Sequence, residues 1–112
     1  PNIEFLKVGR HFRLSPQTKL IIGRNEKENE ILSKLVSEEI TLQIRDIAGP
    51  LGVINSVSIP TQNELETAAA ILLRYANKAD EKTVVIIEGK GNSAQTVTIS
   101  KMESSETEKF PI

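Results

Sequence analysis

The stretch "ITLQIRDI" alternates Ile40, Leu42 and Ile44 with Thr41, Gln43 and Arg45, the period of a strand with one face on a core and one on solvent. Similar β-branched or alternating character marks Ile3 to Val8, His11 to Leu14, and "TKLIIG" after the turn Ser15-Pro16-Gln17, with Gly9 able to bend the chain between the first two. After Gly23 the period changes. Asn25 and Glu28 have the spacing of a capping arrangement, and Ile31, Leu32, Leu35 and Val36 follow as an apolar stripe, which predicts a helix from about Glu26 to Ser37. "AGPLG" breaks the chain after the Ile40 strand, and "VINSVSI" predicts another strand. Thr61-x-x-Glu64 is a second capping box, ahead of Leu65, Ala68, Ala69, Leu72 and Ala76 at helical spacing. Its alanines let that helix lie close to a sheet. "KTVVIIEG" and "AQTVTISKM" complete the set as two strands joined by "GKGNS", whose glycines and asparagine suit a hairpin turn.

The order β-β-β-α-β-β-α-β-β predicts a single α+β domain over residues 1–102, a largely antiparallel sheet of about six or seven short strands with two covering helices. "ESSETEKFPI" is polar and acidic and lacks an apolar period, so residues 103–112 read as a flexible acidic tail. A chain of 112 residues with 38% hydrophobic and 26% charged residues suits one globular domain with a single core. No apolar run approaches the roughly 20 residues of a membrane helix. The chain has no cysteine, which removes disulfides, thiol nucleophiles and Cys-based zinc sites and, without a signal-like apolar start, leads to the expectation of a cytoplasmic protein. It begins at Pro1 rather than Met, as an excised domain or a processed chain would.

Composition argues against an enzyme. One histidine, no cysteine and no ligand-spaced cluster leave little material for hydrolytic or metal chemistry, so no metal and no cofactor is expected. "EGKGNSAQT" has glycines around a lysine, but a phosphate loop needs its second glycine directly before Lys-Ser/Thr and a helix after it, whereas here a strand follows. A hairpin turn is the better reading.

The formal net charge is only -1, yet Arg10, His11, Arg13, Lys19 and Arg24 collect in one stretch with no acid between Glu4 and Glu26. On adjacent strands they could form one positive surface that contacts phosphates, or else a solvated face that discourages edge pairing. "GRNEKEN" adds Gly23 for a tight turn, Arg24 as a cation, and a helix start at Asn25 whose free N–H groups point outward. Its plainer reading is a capped helix, with Glu26 and Glu28 already complementing the dipole.

Taken in order, "VGRHFRLSPQTKLIIGRNEKENEIL", "IRDIAGPLGVI" and "PTQNELETAAAILLRYANKA" resemble the NFACT-R type of RNA-binding domain, in the variant that follows the PP-loop ATPase region of proteins related to tRNA thiolation enzymes. The resemblance rests on Gly23, Arg24, Asn25 and Asn29, on Asp46, Ile47 and Gly49, and on an alanine-rich helix after a proline. It implies a noncatalytic domain that recruits RNA, tRNA foremost, to a PP-loop ATPase domain preceding it in a parent chain. The ATP-handling motif and thiolation cysteines of such a parent are absent. "LQIRDIAGPLG" also departs from better-known members, which carry an aromatic before the position of Asp46 and a histidine after that of Gly49. The candidate RNA-binding residues are therefore Arg10, His11, Arg13, Lys19, Arg24, Asn25, Asn29 and Arg45, with Gly23, Asp46 and Gly49 as motif positions. Aromatic residues are only 4% of the chain, and Phe5, Phe12 and Tyr75 read as core, so recognition of shape and phosphate in structured RNA is expected over base stacking. The alternative is a protein-interaction module that docks on its own ATPase domain.

Overall fold

The computed structural model describes residues 8–36, 39–45, 49–76, 82–89, 94–102, 104–107 and 109. Strands β1 (Arg10–Ser15) and β2 (Thr18–Ile22) form a hairpin, followed by helix α1 (Glu26–Leu35) and strands β3 (Ile40–Ile44) and β4 (Gly52–Ser56). Helix α2 (Gln62–Arg74) then leads to β5 (Lys82–Glu88), β6 (Gln95–Ser100) and a single turn, α3 (Ser104–Thr107). All strand pairs are antiparallel, in one six-stranded sheet of order β1-β2-β4-β3-β5-β6. The fold is α+β, as expected.

Register decides which side chains share a face, because neighbours along a strand point to opposite sides. Phe12 lies opposite Leu20, Leu20 opposite Ile54, and Ile54 opposite Ile40, which makes one apolar row across four strands. Onto this row and the parallel row from Ile44 and Val85 to Val97, α2 sets Leu65, Ala68, Ala69, Ile71, Leu72 and Leu73, all buried. On the other face, Ile21 and Val53 form a smaller cluster with Leu32 of α1 and with Leu51. The two helices thus cover opposite faces, and α2 carries the larger core.

Both helices start where a side chain replaces the missing backbone acceptor. Thr61 accepts from the Glu64 N–H at 3.1 Å, and the Glu64 carboxylate accepts from the Thr61 N–H at 2.9 Å, completing the expected capping box. The Ser15 hydroxyl, the Thr61 N–H and the Thr18 hydroxyl near the Glu64 carboxylate lower its pKa, against burial. At Gly9 the backbone has φ +80, open to glycine but costly for other residues, so the expected bend before β1 is present.

Some expectations change. The strand read in "VINSVSI" starts one residue earlier, at Gly52, and stops at Ser56. Beyond Ser56 neither neighbour continues, since β2 begins at Thr18 opposite Ser56 and β3 begins at Ile40 opposite Ile54. Val57 and Ile59 therefore leave the sheet and stand 84% and 93% exposed. The segment expected as a loose tail carries the α3 turn, and Thr107 within it is buried. The strand expected over Ile3 to Val8 lies, except for Val8, outside the described residues, as do Phe5, Ser37 and most of the "GKGNS" turn.

Leu72 is fully buried under the sheet against the Gly52 backbone. Leu72→Ala should cost about 2–5 kcal/mol in urea unfolding, the range for an unfilled core cavity. A loss below about 1 kcal/mol would contradict α2 as the main cover of the sheet.

Candidate nucleic-acid interface

The candidate cations divide between the two faces of the sheet. Arg10 shares its parity with Phe12 and so lies on the α2 side, where its guanidinium stacks 4.8 Å from the centroid of the Tyr75 ring. His11, Arg13 and Lys19 lie on the α1 side: His11 is opposite Ile21, Arg13 is opposite Lys19, and Lys19 is opposite Asn55. A polar row, Arg13–Lys19–Asn55, thus crosses three strands beyond the end of the patch that α1 covers.

Arg13 and Lys19 are like charges set directly across a strand pair, an arrangement that is destabilising in itself. Among the described residues neither has a carboxylate partner, and Arg13 donates only to the Pro16 carbonyl, at 3.3 Å. Burial pushes the half-buried Lys19 ammonium below its ordinary pKa, and the charge of Arg13 pushes it the same way. His11 Nε2 lies 2.9 Å from the Val8 carbonyl oxygen and donates to it in the tautomer with a proton on that nitrogen. Burial lowers the His11 pKa, the Val8 carbonyl opposes that, Lys19 and Arg24 add to the lowering, and Glu28 opposes it. The electrostatic coupling shows that His11, Lys19, Arg24 and Glu28 share one neighbourhood.

Arg24 and the helix start are differently placed. The Arg24 guanidinium forks onto Glu28, Nε to Oε1 at 2.9 Å and Nη2 to Oε2 at 2.7 Å, while the Arg24 backbone N–H also donates to Oε1 at 2.9 Å. The fork lowers the Glu28 pKa to about 2, against burial, and N–H groups of Arg24 and Gly9 contribute. The same pair raises the Arg24 pKa. Asn25 caps α1 by accepting from the Glu28 N–H at 2.9 Å, and Asn29 Oδ1 accepts from the Leu51 N–H at 3.1 Å. Both amide oxygens are thus committed to the protein's own backbone. Gly23 is buried against Asn29, whose amide oxygen leaves no room for a side chain, and its N–H donates to Leu51 at 3.0 Å. The Gly23-Arg24-Asn25 junction is a clasp between β2, α1 and the start of β4.

The remaining candidates lie apart. Arg45 is exposed just past the end of β3, with its N–H bonded to Val84 at 3.0 Å. Gly49 is exposed and approaches Ile44 closely, and Asp46 lies outside the described residues. Asn55, absent from the expected set, completes the polar row; the alternation in "VINS" opposite "TKLI" was the signal available for it. Among the described residues no group of three or more His, Asp or Glu is placed to hold a metal, and no helix is long and apolar enough to cross a membrane.

The described residues form an open antiparallel sheet with helices on both faces, an α+β domain with Arg13 and Lys19 side by side on one strand face. Residues 9–111 match the family described as the NFACT protein RNA binding domain (NFACT-R_2), and the chain belongs to that family of noncatalytic domains. Among solved structures, the C-terminal part of the fibronectin/fibrinogen-binding protein from Streptococcus suis superposes with a TM-score of 0.77 at 17% sequence identity, a likeness of fold. The match covers 94% of this chain and 50% of that one, so the chain spans about half the length of that structure. No curated protein matches the chain significantly.

The clasp sets a pH dependence. A carboxyl whose pKa falls from 4.5 to about 2 on folding adds stability that is full above pH 4.5 and fades as pH drops toward 2. Glu28→Gln should lower the Tm at pH 7 and flatten its decline across that acid window; a variant that parallels wild type there would contradict the clasp.

Proposed function

We propose that this domain holds structured RNA by its sugar-phosphate backbone, with Arg13 and Lys19 as the principal phosphate contacts, His11 beside them and Arg24 at the margin. Family membership supports RNA as the partner. The observation that carries the assignment of residues is the directly opposed Arg13–Lys19 pair, held without a carboxylate among the described residues. Folding alone does not favour such a pair, whereas two adjacent cations match the charge of a phosphate backbone.

Transfer RNA is the first candidate, because compact RNA offers closely spaced phosphates and the described part of the domain has few aromatics for stacking: Phe12 is buried and Tyr75 lies under Arg10. In the same reading the domain serves a cytoplasmic tRNA-modifying parent of the thiolation type, presenting tRNA to a preceding PP-loop ATPase domain. That context is drawn from the sequence resemblance. Arg10 contributes to the fold through Tyr75, and Arg45 is a separate, outlying contact.

Two measurements on the same variant test this. Lys19→Thr should weaken tRNA binding and reduce the slope of log K against log salt by about 0.7–0.9, one phosphate contact. The same substitution should leave the unliganded domain equally stable or raise its stability by about 0.2–1 kcal/mol, since a like-charge pair is removed. Unchanged affinity and slope would overturn the assignment, and tighter binding to an unstructured single strand than to tRNA would overturn the choice of RNA.

A further inference from the structure

Beyond the polar row, the chain leaves β4 through Val57, Ser58, Ile59 and Pro60, and these residues border a recess of about 440 Å³ at the end of the sheet. Ile40, Ile54 and Asn55 line it as well. Such a volume falls in the range of small-molecule sites, about 300–1,000 Å³. Three features make this place unlike the rest of the surface. Val57 and Ile59 are the large hydrophobic residues that the described chain leaves exposed, and the Val57 N–H is tied to the Gln17 carbonyl at 3.1 Å, so their loop is anchored to the β1–β2 turn. The Asn55 amide has no hydrogen-bond partner among the described residues. The recess adjoins the cations, because Asn55 sits directly across from Lys19, and adjacent strands lie about 4.8 Å apart.

Apolar floor, free amide and neighbouring ammonium match the parts of one nucleotide. A base has two apolar faces and a polar edge, and its phosphate carries the negative charge. Asparagine can pair with a base edge in bidentate fashion, and exposed isoleucine and proline serve elsewhere as apolar surfaces against unstacked bases. Glu39 borders the recess on the β3 side, and Lys19 lies across Asn55 on the β2 side, so the cation for a nucleotide's phosphate stands at the β2 edge of the recess. We infer that the recess takes an unpaired nucleobase of the bound RNA, packed on Ile59 and Pro60 with its edge on Asn55, while the adjoining phosphate rests on Lys19 and Arg13. This rests on the RNA-binding reading above and adds to it that the ligand carries an extruded or unpaired nucleotide beside a phosphate-rich stem.

The test uses two RNAs, a perfect duplex and the same duplex with one bulged adenosine, each followed by fluorescence anisotropy with the whole chain. Wild type should prefer the bulged RNA by on the order of tenfold. Ile59→Ser should remove most of that preference while leaving duplex affinity within about twofold, since its side chain takes no part in the phosphate contacts, and Asn55→Ala should likewise remove most of the preference. Ile59 is 93% exposed, so its substitution spares the fold. Equal binding of the two RNAs by wild type, or an intact preference in both variants, would overturn the nucleobase site and leave phosphate binding standing. Failure to bind either RNA at low salt would instead overturn the RNA-binding reading on which it rests. Loss of self-association in Ile59→Ser by sedimentation, with both RNA affinities unchanged, would assign the loop to a protein contact and overturn the proposal.

Discussion

The carboxylate of Glu28 is the joint on which the arrangement of this domain depends. It receives the backbone N–H and the guanidinium of Arg24, and the N–H of Gly9, so one side chain ties together the chain before β1, the chain after β2 and the first turn of α1. Asn29, one position on, extends the tie to Leu51 at the start of β4. With those points joined, α1 lies over Ile21 and Val53. The same side of the sheet beyond that patch, where Arg13, Lys19 and Asn55 point, is not part of the α1 cluster.

That division separates two kinds of cation. Arg24 has its charge answered at 2.7 Å and its geometry fixed by a fork, so it works first for the fold, even with its side chain 51% exposed. Arg13 and Lys19 are opposed to each other, at a cost on the order of a few tenths of a kcal/mol. That cost is small beside the electrostatic gain from several phosphate contacts at moderate salt. In the proposed reading binding outweighs it, and a weakly strained, positively charged row suits a domain whose larger core lies under α2 on the other face.

Much of this was legible in the sequence. Period-two runs located the strands, Asn25 with Glu28 and Thr61 with Glu64 located the helix starts, and the motif segments pointed to the family that matches residues 9–111. The order of strands was not legible, because β2 pairs with β4 and β3 with β5 across long stretches of chain, and local pattern holds no information about such partners. Gly23-Arg24-Asn25 read as a helix cap or as an anion site, and the cap is present. Arg24 and Glu28 stand at i and i+4, the spacing at which a helix-start acid meets a nearby cation, and the structure pairs them. Grouping all the cations into one face overlooked alternation: in "RHFRL" the partner of Phe12 in parity is Arg10, which goes to Tyr75 with the core, while His11 and Arg13 go to the other side. Val57 and Ile59 looked like strand residues because their composition is β-branched, and they are exposed because no neighbouring strand extends that far.

The central claim is that RNA lies on the α1 side of the sheet, at the end where β1, β2 and β4 meet. Titrating the isotope-labelled domain with tRNA and following amide and side-chain NMR signals tests this most directly. The account predicts that shifts concentrate at His11, Arg13, Lys19 and Asn55 and leave Tyr75 and the exposed threonines of β6 largely unmoved. Shifts centred on Tyr75 and α2, with Lys19 and Asn55 unaffected, would contradict it.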